Sequence, residues 1–348
     1  MTSSPSSLDD PEVLLFQSSP FGNLDAIVQQ NGETVYFFLN ERVAKGRSPK
    51  FGMRACWVRN LVQGPLVFNV AALESGTPPV FPRTHVANRE GLTAPDSESL
   101  RIVWFEEGNG AALLESTDEA EKLLAVIPPW SGENGFMGYA DECVVENQFC
   151  APLPAETSLQ DRIERADQFW QSFSQQPTPF AEVQPNQLTR YREAMARSVS
   201  QTEPLGENQY FNINGDKFPP RGLVEFQVAD QLVLLTVGLC MTPQPNVEMA
   251  VENPRMFRRI ELGFTGSLTE LDAATVERAR TTLSSIAAIP WAQFSWLGPD
   301  HTCSFPGIVD ECDTAILKTD GPIEIELAPF RDDPVTILWI TPMAQSND

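Results

Sequence analysis

The chain has 348 residues, of which 47 are acidic and 24 are basic, giving a formal net charge of −23. Such a surface repels nucleic-acid phosphates and anionic lipid, so we expect neither nucleic acid nor a membrane as a partner. Hydrophobic residues make up 42% of the chain, which excludes wholesale disorder and favours packed cores. A chain of this length is expected to form two domains.

Targeting and cysteine patterns predict a cytoplasmic protein that holds no metal or other cofactor. Residues 1–10 lack the positive cluster and the apolar core of a secretory signal. The longest strongly apolar run is too short to cross a bilayer. The 6 cysteines contain no C-x-x-C pair and no metal-ligand spacing. We therefore expect reduced thiols, with a Cys143–Cys150 or a Cys303–Cys312 disulfide as the open alternative.

Strands and tight turns dominate the first part of the chain. Asn31-Gly32 between two β-rich runs is a strong hairpin signal. Residues 74–98 are rich in Pro, Glu, Ser and Thr and predict an exposed loop. Ser116–Ile127 opens with a polar cap and acidic residues and is followed by Pro128, which predicts a short helix. The predicted strands are 23–29, 34–39, 53–61 and 100–105.

Two helices are predicted beyond a boundary at Ala151–Pro154. The first, Ser158–Phe173, begins with its own capping serine and carries apolar residues at spacings of three and four. Pro177 and Pro179 are expected to end it. The second helix is predicted over about Asn186–Val199.

The second half of the chain has more regular patterns. Gly222–Val228 and Leu232–Gly238 predict a hairpin whose second strand, apolar on both faces, is central and covered. Arg258–Phe264 alternates, which predicts a strand with every second residue inward. Leu271–Ile289 predicts an amphipathic helix ended by Pro290. Further strands are predicted at 313–318, 323–327 and 334–340.

These elements predict an α+β fold, with two mixed α/β domains that each consist of a mainly antiparallel sheet and covering helices. The predicted division is an N-terminal domain at 1–155, a helical linker region at 156–200 and a second domain at 201–348. The sequence contains no convincing internal repeat between the two halves.

Four segments of the second half resemble the suppressor-of-fused domain, in the order that this family has them. Together they span about residues 205–343, and the acidic chain looks like a bacterial-type member. Each motif alone is weak, but four in order are fairly specific. The segments are Leu234-Leu-Thr-Val-Gly-Leu239, Arg259-Ile-Glu-Leu262, Trp296-Leu-Gly-Pro-Asp-His-Thr302 and Ile337-Leu-Trp-Ile-Thr-Pro-Met343.

Two positions depart from the family pattern. Asp300 stands where the family has the second glycine of a turn, so a positive φ there would be borne by an aspartate. Met343-Ala-Gln lacks the acidic residue expected after the last strand. Residues 1–155 carry no motif of the family, so their contribution stays open.

The resemblance implies a non-enzymatic module that binds another protein. The family's founding member in animals sequesters a transcription factor by holding an extended peptide as an added strand, and bacterial members are regarded as immunity proteins against secreted toxins. The expected partner is therefore a protein, either a toxin or an extended peptide segment. The sequence does not specify the oligomeric state.

The aromatic run before the Gly-Pro turn supplies the best candidate binding residues, because aromatic anchors dominate interface energetics. Core packing is the alternative role for these aromatic side chains. The basic pair Arg258-Arg259, at the start of the second resembling segment, is unusual in so acidic a chain, and pairing with neighbouring carboxylates is its alternative role. The candidates for partner binding are Trp291, Phe294, Trp296, His301, Arg258 and Arg259.

Two other functions are kept as hypotheses. His301 and Cys303 are two residues apart, so a hydrolase or transferase with an atypical site there is one alternative. A passive assembly protein whose acidic surface recruits basic partners is the other. A metal site would require His85 and His301 from separate halves, which disfavours it.

Overall fold

The computed structural model describes residues 11–43, 45–74, 77–117, 120–132, 137–154, 157–199 and 205–344. The chain forms two compact units, Met1–Trp170 and Gln171–Asp348. This division falls inside the segment 156–200 that the sequence predicts as a helical linker. Helices and mainly antiparallel sheets occur together in the chain, so the predicted α+β class is confirmed.

The first unit contains one four-stranded and one five-stranded sheet. The predicted hairpin is confirmed, because Asn31 accepts the backbone N–H groups of Glu33 and Thr34 through its side chain and Gly32 takes a φ of 80°. The four-stranded sheet runs β1 (Glu12–Ser18), β2 (Leu24–Gln30), β3 (Thr34–Glu41) and β4 (Met53–Asn60). The five-stranded sheet runs β5 (Leu100–Trp104), β6 (Ala111–Ser116), β7 (Glu121–Ile127), β8 (Tyr139–Ala140) and β9 (Ala151–Pro152).

The first unit also contains a short helix, α1 (Val70–Glu74), and most of a long one, α2 (Thr157–Phe173), whose last three residues belong to the second unit. The predicted apolar stripe of α2 is confirmed, since Ile163 and Ala166 are buried against Val126 of the five-stranded sheet. Apolar residues at spacings of three and four thus place α2 on one face of this sheet.

The helix predicted at Ser116–Ile127 is wrong. β6 ends there and β7 runs antiparallel to it, with Leu124–Ile127 buried between neighbouring strands. The Thr117 hydroxyl donates to the Ala120 carbonyl, so the polar side chain closes a hairpin turn and caps no helix. Pairing on both sides has overridden the local helix signal.

The loop predicted at 74–98 is not wholly exposed. Phe81 and Val86 are buried, and the Phe81 ring stacks on Trp57 of β4 at 4.2 Å between centroids. The Asn60 side chain bonds both the backbone N–H and the backbone carbonyl of Phe81. Aromatic burial therefore anchors a segment whose composition is typical of a loop.

The second unit is built on one seven-stranded sheet with the order β10-β11-β12-β13-β16-β15-β14. All neighbouring pairs are antiparallel except β13 with β16. The strands are β10 (Gln209–Asn212), β11 (Gly222–Val228), β12 (Gln231–Val237), β13 (Arg259–Ser267), β14 (Thr302–Val309), β15 (Cys312–Lys318) and β16 (Val335–Met343). The predicted β11–β12 hairpin and the burial of β12 are confirmed.

Helices cover both faces of this sheet. Tyr191 of α3 (Pro179–Ser198) packs against Val224 and Phe226 of β11. Glu225, which alternates with those two residues, instead pairs at 2.6 Å with Arg280 of α5 (Ala273–Gln293). Successive strand residues point to opposite faces, so α5 lies on the face away from α3. A single-turn helix, α4 (Val247–Ala250), precedes β13.

Two predicted boundaries in this unit are wrong, the start of α3 at Asn186 and the end of α5 at Pro290, and one predicted strand is not formed. Pro179 begins α3, where a missing N–H costs nothing and Thr178 caps the helix. Pro290 lies inside α5, which continues to Gln293. Residues 323–327 form no strand among the described residues, although Leu327 is buried and the alternate side chains before it pack on the same core.

A buried carboxylate sits at the centre of the second unit. Glu261 of β13 has no accessible surface. One of its oxygens accepts from the Gln187 side chain of α3 at 2.8 Å and from the backbone N–H groups of Gly238 and Cys240 at 3.0 and 3.1 Å. The other accepts from the Thr236 hydroxyl at 2.6 Å. A buried charge is tolerated only when it is bonded this fully.

The neighbouring Arg259 is also fully buried, although its strand was predicted to alternate between inward and outward residues. Its guanidinium donates to Asp333 at 3.1 Å and to the Cys240 and Met241 carbonyls at 3.1 and 2.8 Å. The group also lies 4.9 Å from the centre of the Phe330 ring. Both faces of β13 are therefore covered, and its polar residues bind other parts of the unit.

No helix in the described ranges combines the length and the apolarity that a bilayer crossing requires. All six cysteines are free thiols, so neither of the disulfides left open by the sequence is formed in this structure.

We expect Glu261→Ala to lower the free energy of unfolding by about 3–5 kcal/mol, because it leaves several buried donors unpaired. Urea unfolding followed by circular dichroism measures this. Glu270→Ala removes an exposed carboxylate and is the matched control, expected to stay within about 0.5 kcal/mol of the parent. Equal unfolding midpoints for the two variants would contradict a central role for Glu261.

Candidate functional site

β14 forms one edge of the seven-stranded sheet. It pairs with β15 on one side, and on the other side no strand of the described chain pairs with it. An edge strand presents a row of backbone N–H and C=O groups that another extended chain can bond. The geometry of this edge follows from the turn that leads into it.

A Gly-Pro turn delivers the chain into β14. The His301 N–H donates to the Gly298 carbonyl at 3.3 Å, and Asp300 takes a left-handed φ of 63°. Pro299 at the second position and a positive φ at the third are the features of a type II turn. The turn predicted here is therefore present, and Asp300 adopts the conformation for which the family pattern has glycine.

The same residues form a bulge against β15. The Asp300 N–H donates to the Leu317 carbonyl at 2.8 Å, and the Leu317 N–H donates to the His301 carbonyl at 2.9 Å. Two residues of one strand thus oppose a single residue of its partner, with the left-handed residue first. This bulge fixes the register of β14.

The register determines which backbone groups of β14 are free. His301 bonds inward to Leu317, and in an antiparallel ladder successive residues bond alternately inward and outward. Cys303 therefore bonds towards β15, whereas Thr302 and Ser304 direct their N–H and C=O groups at the open edge. Both of these residues are exposed.

Pro306 limits how far this edge extends. It lies within β14, is exposed, and has no N–H to offer to an added strand. The regular pairing with β15 is also interrupted between Ser304 and Val309. The open ladder is therefore short, and its usable groups lie at Thr302 and Ser304.

A surface groove of about 930 Å³ runs along β14, with α5 as its other wall. Ile289 and Trp296 supply apolar surface, while Ser285, Thr302 and Ser304 supply hydroxyl groups. A mixture of apolar and hydroxyl groups beside free backbone groups suits an extended polypeptide. Asp300 also lines the groove and is exposed.

Of the predicted binding residues, the groove brings together Trp296 and His301. Their rings meet edge to face at 4.4 Å between centroids, and both are half-buried. Trp296 also lies 6.5 Å from the Phe257 ring. These two aromatic side chains form one end of the groove.

Trp291 and Phe294 are buried and lie outside the groove lining. The Trp291 indole N–H donates to the Pro243 carbonyl at 3.2 Å, and the Arg221 guanidinium lies 5.4 Å from its ring centre. Phe294 caps α5 in a left-handed conformation, with its carbonyl bonded by the Asn246 side chain. Both side chains therefore pack in the core, which is the alternative role given to them in the sequence analysis.

The two candidate arginines are also held within the unit. Arg259 has no accessible surface, so it offers nothing to a partner. Arg258 pairs with Glu248 at 2.6 Å and with Asp333 at 2.8 Å, and its side chain is 17% exposed. Both arginines therefore pair with carboxylates of the same unit, which is the alternative role given to them in the sequence analysis.

Sequence reasoning missed β14 itself and with it Thr302 and Ser304. A proline inside a strand-like segment was the available signal, because Pro306 is compatible only with an edge strand or a bulge. The hydroxyl row on α5, including Ser285, was visible only as the polar side of a helix.

The thiol near this groove is poorly suited to nucleophilic chemistry. Burial raises the pKa of Cys303 to about 11, and its Sγ lies 3.7 Å from the Ala315 carbonyl oxygen. Catalytic cysteines instead have lowered pKa values in electropositive surroundings. In the described part of the chain, no cluster of three or more His, Cys, Asp or Glu side chains is arranged to hold a metal.

Comparisons of this chain with protein-family models, with curated proteins and with solved structures find no match.

We expect Asp300→Gly to raise the free energy of unfolding by about 1 kcal/mol, because glycine adopts a positive φ without steric cost. Asp300→Ala at the same position is expected to lower it. The midpoints of urea unfolding at unchanged slope measure both effects. A glycine variant less stable than the alanine variant would contradict the assignment of the turn.

We expect Cys303 to react slowly with iodoacetamide at neutral pH. With a pKa of about 11, roughly one thiol in a thousand is ionised at about pH 8, and the rate rises about tenfold per pH unit until the pKa is reached. Mass-spectrometric mapping of the labelled peptide gives the rate, with glutathione as the reference thiol. Labelling as fast as glutathione at neutral pH would contradict the prediction and reopen the hydrolase hypothesis.

Proposed function

We propose that the chain is a non-enzymatic protein-binding module that takes up an extended segment of a partner protein as an added strand at β14. Main-chain hydrogen bonds along an edge give affinity in this mode, and contacts to alternate side chains select the segment. The open N–H and C=O groups of Thr302 and Ser304 beside the groove are the observation that carries this proposal.

The resemblance to the suppressor-of-fused domain supports the same function. Three of its four segments fall on neighbouring strands, β12, β13 and β16, and the fourth is the turn that leads into β14. The proposed role is sequestration of the partner in the cytoplasm, and immunity against a toxin is one form of it. Neither role requires a cofactor.

A hydrolase or transferase at His301 and Cys303 is the weaker candidate. The His301 ring contacts Trp296, and the raised pKa of Cys303 keeps its thiol protonated at neutral pH. A nucleophile requires a base within reach and a third group that orients the base. The contacts made by these two side chains favour binding.

Purely electrostatic recruitment by the acidic surface is the third hypothesis. The salt dependence of binding distinguishes it from strand addition. Attraction between exposed charges is screened within about 8 Å at physiological ionic strength. Backbone hydrogen bonds in a groove are much less sensitive to salt. A complex that survives about 0.5 M salt therefore favours strand addition.

The test is capture from a lysate of the native source with the full chain and two variants. Ser304→Pro removes the outward N–H and places a ring at the open edge, whereas Ser304→Ala keeps the backbone and is the matched control. We expect one stoichiometric partner with the parent chain and with Ser304→Ala. Ser304→Pro is expected to retain about tenfold less of it.

Circular dichroism and thermal unfolding establish that all three proteins are folded before capture. Equal capture of the same partner by Ser304→Pro and by the parent chain would place the interface elsewhere and end the proposal.

A further inference from the structure

We infer that the segment bound at β14 is basic, with cationic side chains on both sides of a short alternating centre. This inference rests on the proposed function and names the chemistry of its partner. It comes from charges that stand at the two ends of β14 and from the composition of the groove between them.

Asp300 supplies the charge at the beginning of β14. It lines the groove, is exposed, and forms no ion pair with any residue that the structure describes. The turn and the bulge hold its backbone in place, so its carboxylate stands next to the first outward backbone groups, those of Thr302. Its position is thus fixed by the same contacts that create the open edge.

Asp310 and Glu311 supply the charge at the other end. They form the turn between β14 and β15, where Glu311 takes a left-handed φ of 61°, and both are exposed. In the described part of the chain neither carboxylate forms an ion pair. Acids elsewhere in the unit, such as Glu225 and Glu248, are neutralised by arginine.

Arg278 of α5 is a cation that lies beside β14, and its guanidinium is already bound. The Arg278 Nε donates to the Gly307 carbonyl at 2.9 Å, and its Nη2 donates to the Thr275 hydroxyl at 2.6 Å. The charge of this guanidinium is thus directed at the backbone of β14 beyond Ser304. Because this guanidinium is already bound, the acidic residues at the two ends of β14 determine which charge is preferred in a partner.

The centre of the groove suits small apolar and hydroxyl side chains. Its walls there combine Ile289 with Ser285, Thr302 and Ser304, and no lysine or arginine contributes to the lining. An alternating strand of valine and threonine matches these surfaces and has a high preference for the extended conformation. Lysine or arginine at each end then meets an unneutralised carboxylate.

A second copy of this chain is a poor occupant. Antiparallel pairing of β14 with itself through Thr302 and Ser304 would place Asp300 of each copy opposite Pro306 of the other, so its carboxylate would gain no cation. The net charge of −23 on each copy adds a long-range repulsion. The charges that favour a basic partner therefore also protect the edge against self-association.

The test uses two fluorescent peptides with the same alternating valine and threonine centre, one with lysine and one with glutamate at both ends. Fluorescence anisotropy with the full chain gives their affinities. We expect the lysine peptide to bind at least about tenfold more tightly, with a difference that shrinks as salt is added. Ser304→Pro is expected to abolish binding of the lysine peptide, whereas Ser304→Ala, which loses the groove hydroxyl but keeps the backbone N–H, is expected to weaken it by no more than about threefold.

Charge variants then examine each end separately. Asp300→Asn, and the double change Asp310→Asn with Glu311→Gln, are each expected to weaken the lysine peptide about two- to fivefold. Asp216→Asn removes an exposed carboxylate from the β10–β11 loop and is the matched control, expected to leave the affinity unchanged.

Equal binding of both peptides, with loss on Ser304→Pro, would overturn the basic partner and leave strand addition standing. Binding of the lysine peptide that survives Ser304→Pro would show attraction to the acidic surface away from the edge, and would also overturn the inference. So would dimers of the free chain in sedimentation that Ser304→Pro abolishes, since they would make a second copy the occupant. Failure of the proposed function itself is read from capture of the native partner with the Ser304 pair.

Discussion

The second unit depends on the burial of one carboxylate. Glu261 is removed from water at the centre of the sheet, and every contact it makes joins a different part of the unit: α3 through Gln187, the end of β12 through Thr236 and Gly238, and the turn after it through Cys240. A charge in this position excludes any packing that leaves its oxygens unbonded. The strand next to β12 is thereby fixed in register, and the positions of β16, β15 and β14 follow from it.

Sequence patterns predicted the elements whose signal is local. The hairpin at Asn31-Gly32 needs a positive φ that glycine supplies, and β12 is apolar on both faces because it is central. The segment 116–127 was predicted as a helix because a polar cap and acidic residues open it and Pro128 follows it. Only its neighbours in the sheet decide between the two structures, and those neighbours are distant in sequence.

The site was predicted less completely, and the reason is topological. Trp296 and His301 were found because aromatic side chains beside a Gly-Pro turn are conspicuous in the sequence, and both line the groove. Trp291 has the same chemistry but faces the core, and burial cannot be read from residue type. That β14 lies at an edge depends on β16 entering the sheet beside β13, a pairing that no local pattern reveals.

The parallel pairing of β13 with β16 has a consequence for how the chain acquires its shape. β16 joins β10–β13 on one side to β14–β15 on the other, yet it follows all of them in sequence. During synthesis both hairpin systems leave the ribosome before the strand that unites them, and loop closure from residue 259 to residue 335 is a late, slow contact. Until it forms, β13 and β15 each expose an edge of unpaired backbone N–H and C=O groups. The nascent protein therefore passes through a stage in which a chaperone would protect it most from aggregation.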